Sequence, residues 1–345
     1  MRSAGALLLG GLSLLFAGPS APAGAPKPPR LLSQTGLYGG RGLEVDPRNL
    51  AYSPQYPLWS DGAAKSRWLS LPAGARIDAQ SGDRWVFPVG TKFWKEFDFA
   101  GRKVETRLIW RASPGRWVFA TYLWNDAQTD AELAPADGVP GYAEIAPGKR
   151  HSIPSVADCR NCHEDERSPI LGFNALQLSP DRDPLAPHAE PLRPGMVTLT
   201  ELVGRRLLVP AREEYVASPP RIRSENPRAR ALLGYFTANC GSCHRADGTL
   251  AALGLDFTHA TGARDEASEP GFATTVGRTG RWAVPGAAPG ETRRIEPGNP
   301  AGSTVLYRMK SRNPLSQMPP LGSILVDEEA VALLERYIAE VRSPR

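Results

Sequence analysis

Cysteine, histidine and methionine are scarce here: 345 residues hold four Cys, five His and four Met. So few cysteines exclude a disulfide-dense scaffold. Neither sign of charge dominates, since 41 Lys and Arg against 36 Asp and Glu leave a net charge of +5. With no dense basic stripe and no nucleic-acid motif, no nucleic-acid partner is expected. Long apolar runs are also lacking. The run from Ala6 to Phe16 is too short to span a bilayer as a mature helix. It follows Arg2 and precedes Ala21-Pro22-Ala23, the pattern of an export signal with its cleavage site. Residues 1–25 are therefore expected to be a signal peptide. The mature protein is expected to have no membrane span and to reside in the periplasm or an equivalent space.

Apolar residues at 41% and charged residues at 22% are ordinary for a soluble globular chain. The length predicts two or three domains. Glycine and proline, 34 of each, predict long irregular connections.

All four cysteines fall in two C-x-x-C-H motifs, Cys159-Arg160-Asn161-Cys162-His163 and Cys240-Gly241-Ser242-Cys243-His244. The spacing has a chemical cause. One thiol adds to each of two haem vinyl groups, and the two-residue gap lets both reach one porphyrin edge. The next residue, His, then lies under the iron. A Cys₄ zinc site would want its pairs about 15–20 residues apart, and these pairs lie much further apart. A disulfide suits an exported protein but gives no reason for a His after each pair. Two covalently bound haem c groups are thus expected, held by Cys159, Cys162, Cys240 and Cys243. His163 and His244 would be the proximal iron ligands.

Residues 26–45 read as an extended linker. Residues 46–135 read as a β-rich domain. In one run Phe93, Lys95, Phe97 and Phe99 alternate with Trp94, Glu96 and Asp98. In the next, Glu105, Arg107, Ile109 and Arg111 alternate with Val104, Thr106, Leu108 and Trp110. Arg116 to Trp124 is a third such run. Period-2 alternation with aromatic and β-branched residues marks half-buried strands. Gly101 and Ser113-Pro114-Gly115 mark turns. The expectation is an antiparallel meander within a β-sandwich, its tryptophans filling the core. Residues 136–222 form the first haem module, loop-rich, with Ser155 capping a short helix through Cys159 to His163 and a second helix over Thr198 to Leu208. Residues 223–345 form a more regular unit. Asn226-Pro227 starts a helix with apolar Leu232, Leu233, Tyr235 and Phe236. Thr304 to Met309 is a short helix. Asp327 caps a last one, with Val331, Leu334, Ile338 and Val341 on its apolar side.

This last unit resembles a class I cytochrome c domain. Phe236 stands where that family has an aromatic, Met318-Pro319-Pro320-Leu321-Gly322 looks like its distal ligand loop, and Tyr337 fits the aromatic at the crossing of the terminal helices. Leu232 departs from the family, which often has Gly at that crossing. The mature chain is also similar to a family of exported diheme c-type cytochromes. The segments that carry this likeness are Pro57-Leu58-Trp59-Ser60-Asp61-Gly62, Trp85-Val86-Phe87-Pro88-Val89-Gly90-Thr91, Glu105-Thr106-Arg107-Leu108, Tyr122 to Asp130 and Ile153-Pro154-Ser155. The fold expected is α+β and multidomain: an antiparallel β-sandwich-like region, a loop-rich haem module and an all-α class I cytochrome c domain.

The sixth ligands separate a carrier from an enzyme, because an open position can bind a small ligand. For the second haem the distal ligand is expected to be Met318, with Met309 as competitor. For the first, His188 ranks ahead of Met196, an open position and His151. His259 is expected to be structural. Arg160, Glu164, Asp165 and Glu166 are read as solvated charges rather than catalytic groups. The function expected is electron transfer between exported redox partner proteins, such as a dehydrogenase or a terminal oxidase. The alternatives are a peroxidase-like enzyme with the first haem as active site, or a ligand-binding module with a haem relay.

Overall fold

A computed structural model describes residues 26–40, 42–163, 169–288 and 290–342. The expected signal peptide lies outside the described residues, as do Glu164, Asp165 and Glu166. The strands are β1 (Leu50–Ala51), β2 (Ala64–Ser70), β3 (Ile77–Asp78), β4 (Lys92–Phe99) and β5 (Arg102–Ser113). They continue with β6 (Arg116–Trp124), β7 (Ala131–Leu133), β8 (Val139–Ala146), β9 (Lys149–Ile153) and β10 (Leu208–Val209). The α-helices are α1 (Val156–Cys162), α2 (Leu199–Gly204), α3 (Glu214–Ala217), α4 (Pro227–Asn239), α5 (Pro270–Ala273), α6 (Thr304–Lys310) and α7 (Glu328–Glu340).

One antiparallel sheet dominates, in the order β1-β2-β4-β5-β6-β7. Its cross-strand rows follow from the alternation in the sequence, because successive side chains point to opposite faces. On the outer face Trp94, Leu108, Ala120, Tyr122 and Trp124 are buried under Leu32, Leu37 and Tyr38 of the N-terminal lead-in. On the inner face Leu69, Phe93 and Trp117 pack with Trp85, Phe87, Phe173, Leu178, Leu199, Leu202 and Tyr215. Each fully buried Leu or Phe contributes roughly 1.5–3 kcal/mol of transfer free energy.

Two parts of the expected fold are corrected. Among the described residues no second large sheet faces the first. The other sheets among the described residues are the two-stranded pairs β3–β10 and β8–β9, and irregular segments cover both faces of the main sheet. The C-terminal unit is not an all-α class I cytochrome c domain. Its helix signals mark real helices at α4, α6 and α7. Between Cys240 and Thr304, however, the Gly- and Pro-rich chain forms turns, 3₁₀ segments, the four-residue α5 and parallel bridges at Val276↔Ile295 and Arg293↔Ser303. Nor is its core closed on itself. Helix α4 is buried from Ala229 to Phe236, and its cluster takes in Tyr56, Leu176 and Ala186 as well as Leu334, Tyr337 and Ile338 of α7. A Cβ on Gly234 would sit 2.1 Å from the Tyr56 ring, so the close approach of Tyr56 to α4 requires glycine there.

Among the described residues no helix is long and apolar enough to cross a membrane.

Candidate haem-attachment sites

The first motif lies on α1. Ser155 caps this helix: its Oγ accepts from Asp158 N at 3.0 Å, and its own N–H donates to the Asp158 carboxylate at 2.9 Å. Such reciprocal capping satisfies two orphan donors of a helix barely two turns long. Helix α1 packs against β6, and the half-buried His163 at its end faces Phe119, ring centroids 5.8 Å apart. The His163 Nδ1–H donates to the Pro169 carbonyl. Burial pushes His163 down to about 4, Pro169 opposes that, and Lys95 and Arg107 add to it. The ring is therefore neutral at pH 7, with Nδ1 protonated and the Nε2 lone pair free to bind a metal.

The second motif follows α4, whose C-cap is Cys240. Cys240, Cys243 and His244 line a cavity of about 1170 Å³, a volume that includes its mouth. Its walls are largely apolar, with Trp59, Leu255, Phe257 and Val305 among them, and Met318 and Met309 both border it. Met309 belongs to the hydrophobic cluster, whereas Met318 sits on a loop tied to α6 by Met318 N donating to Arg308 O at 2.9 Å. Two orphaned groups bear on what this cavity holds. His244 Nδ1 is buried without a partner, and so are Nε and Nη1 of Arg312, a residue of the cavity wall. A haem fits this lining: an apolar slot for the macrocycle, two thiols, an imidazole, a thioether, and an arginine with unmet donors for a propionate.

The two motifs meet. The thiols of Cys162 and Cys243 are close enough to interact, and Cys162 lines one pocket together with Gly241, Ser242 and Arg245. The neighbouring Cys243 thiol, with burial behind it, raises the Cys162 pKa, and burial pushes Cys240 up to about 12. All four cysteines are free thiols. Among the described residues no three His, Cys, Asp or Glu side chains converge as they would around a bare metal ion.

No family model, curated protein or solved structure matches the chain.

The remaining candidates are placed as follows. His188 is held by α7. Its Nε2 lies 2.8 Å from Asp327 and its Nδ1 3.2 Å from Glu329, at the N-terminus of α7. Its ring lies 6.2 Å from that of Trp59, so its neighbours Trp59 and Asp327 belong to the wall of the second cavity. His151 Nε2 donates to Glu105 at 2.9 Å, and the Met196 sulfur accepts from Arg193 N. Among the described residues neither is seen in contact with His163. The buried His259 is held through Nδ1 by Glu269 at 3.1 Å. The charges that bear on His163 are Lys95 and Arg107, which were not among the expected site residues. A signal for them existed, because both interrupt the inner-face alternation of β4 and β5. Its meaning needed the register of the strands.

Proposed function

We propose that this chain is a diheme c-type cytochrome that carries electrons between exported redox partner proteins. Haem c would be attached at Cys159 and Cys162 and at Cys240 and Cys243. The observation that carries this reading is the meeting of Cys162 with Cys243. Two attachment motifs far apart in sequence offer neighbouring thiols, so groups bonded there are neighbours too. When bound, each haem supplies a one-electron couple. The chain does the rest. Pro169 fixes the His163 tautomer, the apolar wall of the second cavity excludes water, and Met318 offers a soft sulfur that favours reduced iron. The apolar lining would keep rearrangement around a bound haem small.

A peroxidase-like reaction at the first haem is the second reading. One observation favours it: the electrostatic influence of Lys95 and Arg107 is felt at His163, as that of groups stabilising charge at a reacting site would be. Intact mass spectrometry of the exported, mature chain tests the main reading, with two haem masses expected beyond the polypeptide. One haem or none would sink it. Rapid oxidation of the reduced protein by a high-potential electron acceptor, without hydrogen peroxide turnover, would favour the carrier over the enzyme.

A further inference from the structure

Arg67 on β2, Lys95 on β4 and Arg107 on β5 are direct cross-strand partners, so three basic side chains stand in one row on one face. Lys65 stands one pleat further along β2 on that face, opposite Phe97. Like charges directly opposite each other destabilise a sheet, and natural sequences break such rules mainly where function requires it. Two carboxylates answer four basic side chains. Glu190 grips both guanidinium nitrogens of Arg67, at 2.5 and 3.0 Å. Glu105 grips Arg107, at 2.6 and 3.0 Å, and also accepts from His151. Lys65 reaches the Ala63 carbonyl at 2.9 Å. Among the described residues Lys95 makes neither an ion pair nor a hydrogen bond, and it lies over the Phe97 ring at 4.9 Å. The row faces the first motif. Phe119, which touches His163, pairs with Ile109, one pleat repeat from Arg107, or roughly 7 Å along the strand.

We propose that Lys95, flanked by Arg67 and Arg107 and backed by Lys65, is a carboxylate-binding site beside the first motif. The two sources of that carboxylate are a propionate of the haem attached at Cys159 and Cys162, and a small free carboxylate entering next to His163. The first source rests on the diheme reading; the anion site itself does not. Burial and the neighbouring Arg67, Lys65 and Arg107 hold Lys95 well below the ordinary lysine range, and a carboxylate arriving there would favour its charged form. The carboxylate oxygens then accept from the Lys95 ammonium as in other charge-assisted pairs.

The test compares the full-length exported protein with Lys95→Gln and with the charge-preserving Lys95→Arg. If the carboxylate is a propionate, Lys95→Gln shifts the pH dependence of the first haem's midpoint potential. Lys95→Arg and the second haem stay as in the parent, and added acetate changes nothing. If the carboxylate is free, acetate perturbs the visible spectrum of the parent saturably, and its apparent affinity falls at least tenfold in Lys95→Gln but not in Lys95→Arg. If mass spectrometry finds no haem, the diheme reading fails separately. The anion site then stands only if acetate raises the Tm of the parent and not that of Lys95→Gln. Potentials and Tm that ignore both the substitution and acetate overturn the proposal.

Discussion

The thiol of Cys162 lies against the thiol of Cys243, one from the end of α1 and the other from the turn after α4. Both come from segments whose helix caps are well formed. The contact is therefore a product of tertiary packing between two locally specified pieces. It has a consequence for any chain that folds without its haems. Air oxidation of the haem-free protein is expected to join Cys162 to Cys243, leaving Cys159 and Cys240 unpaired. The raised pKa of Cys162 keeps it protonated at pH 7, so the reaction should be slow there and speed up as pH rises toward the thiolate range. Peptide mapping after alkylation checks this. Bridges within each C-x-x-C pair would contradict it.

Met318 is expected to bind the second iron. Met318→Ala should then remove the weak charge-transfer band at the red end of the oxidised spectrum, while Met309→Ala should leave it in place. Loss of the band in Met309→Ala alone would move the assignment to the core methionine.

Glu105 gives a pH-dependent stability. Burial alone would push its carboxyl up, but the Arg107 guanidinium and the hydrogen bonds from His151 and Arg107 outweigh this and hold it at about 2. A depressed folded-state pKa stabilises the protein above the unfolded value, roughly 4.3 for Glu. That contribution is present in full near neutral pH and is lost as pH falls from about 4.5 to 2. Urea titrations across this range should show it. Glu105→Gln should flatten the slope there and cost about 3 kcal/mol at pH 7, because it leaves Arg107 unpaired.

Gly234→Ala should destabilise the protein by about 1–3 kcal/mol or more, since the new methyl would collide with Tyr56. Adding Tyr56→Leu should recover part of the loss in a chemical-denaturation cycle. If Gly234→Ala is neutral by itself, Tyr56 does not pack against α4 as described.

Much of the local structure was legible in the sequence. The strand runs at Phe93, Glu105 and Arg116, the turns at Gly101 and Ser113 to Gly115, and the caps Ser155, Asn226 and Asp327 all stand where spacing and composition put them. What was not legible depends on segments meeting across long separations. Alternation shows that a strand has two faces but not what covers them, so a sandwich was expected where the lead-in and residues 169–215 do the covering. His188 looked free to reach the first haem because nothing in its neighbourhood predicts Asp327 and Glu329, which approach from α7. Lys95 reads as an ordinary strand lysine until Arg67 and Arg107 are set on either side of it.

The lead-in has an effect on the order in which the chain can fold. Leu32 and Leu37 are fully buried, Trp94 Nε1 donates to Thr35 Oγ1 at 3.0 Å, and Leu133 N donates to Arg30 O at 2.9 Å. The segment thus finds its partners only after β4 to β7 have been made. A chain emerging from its N-terminus presents this apolar strap long before the sheet that buries it exists. Until residue 133 has followed, the strap stays exposed, and closing it is a late, long-range step in the folding of the sheet.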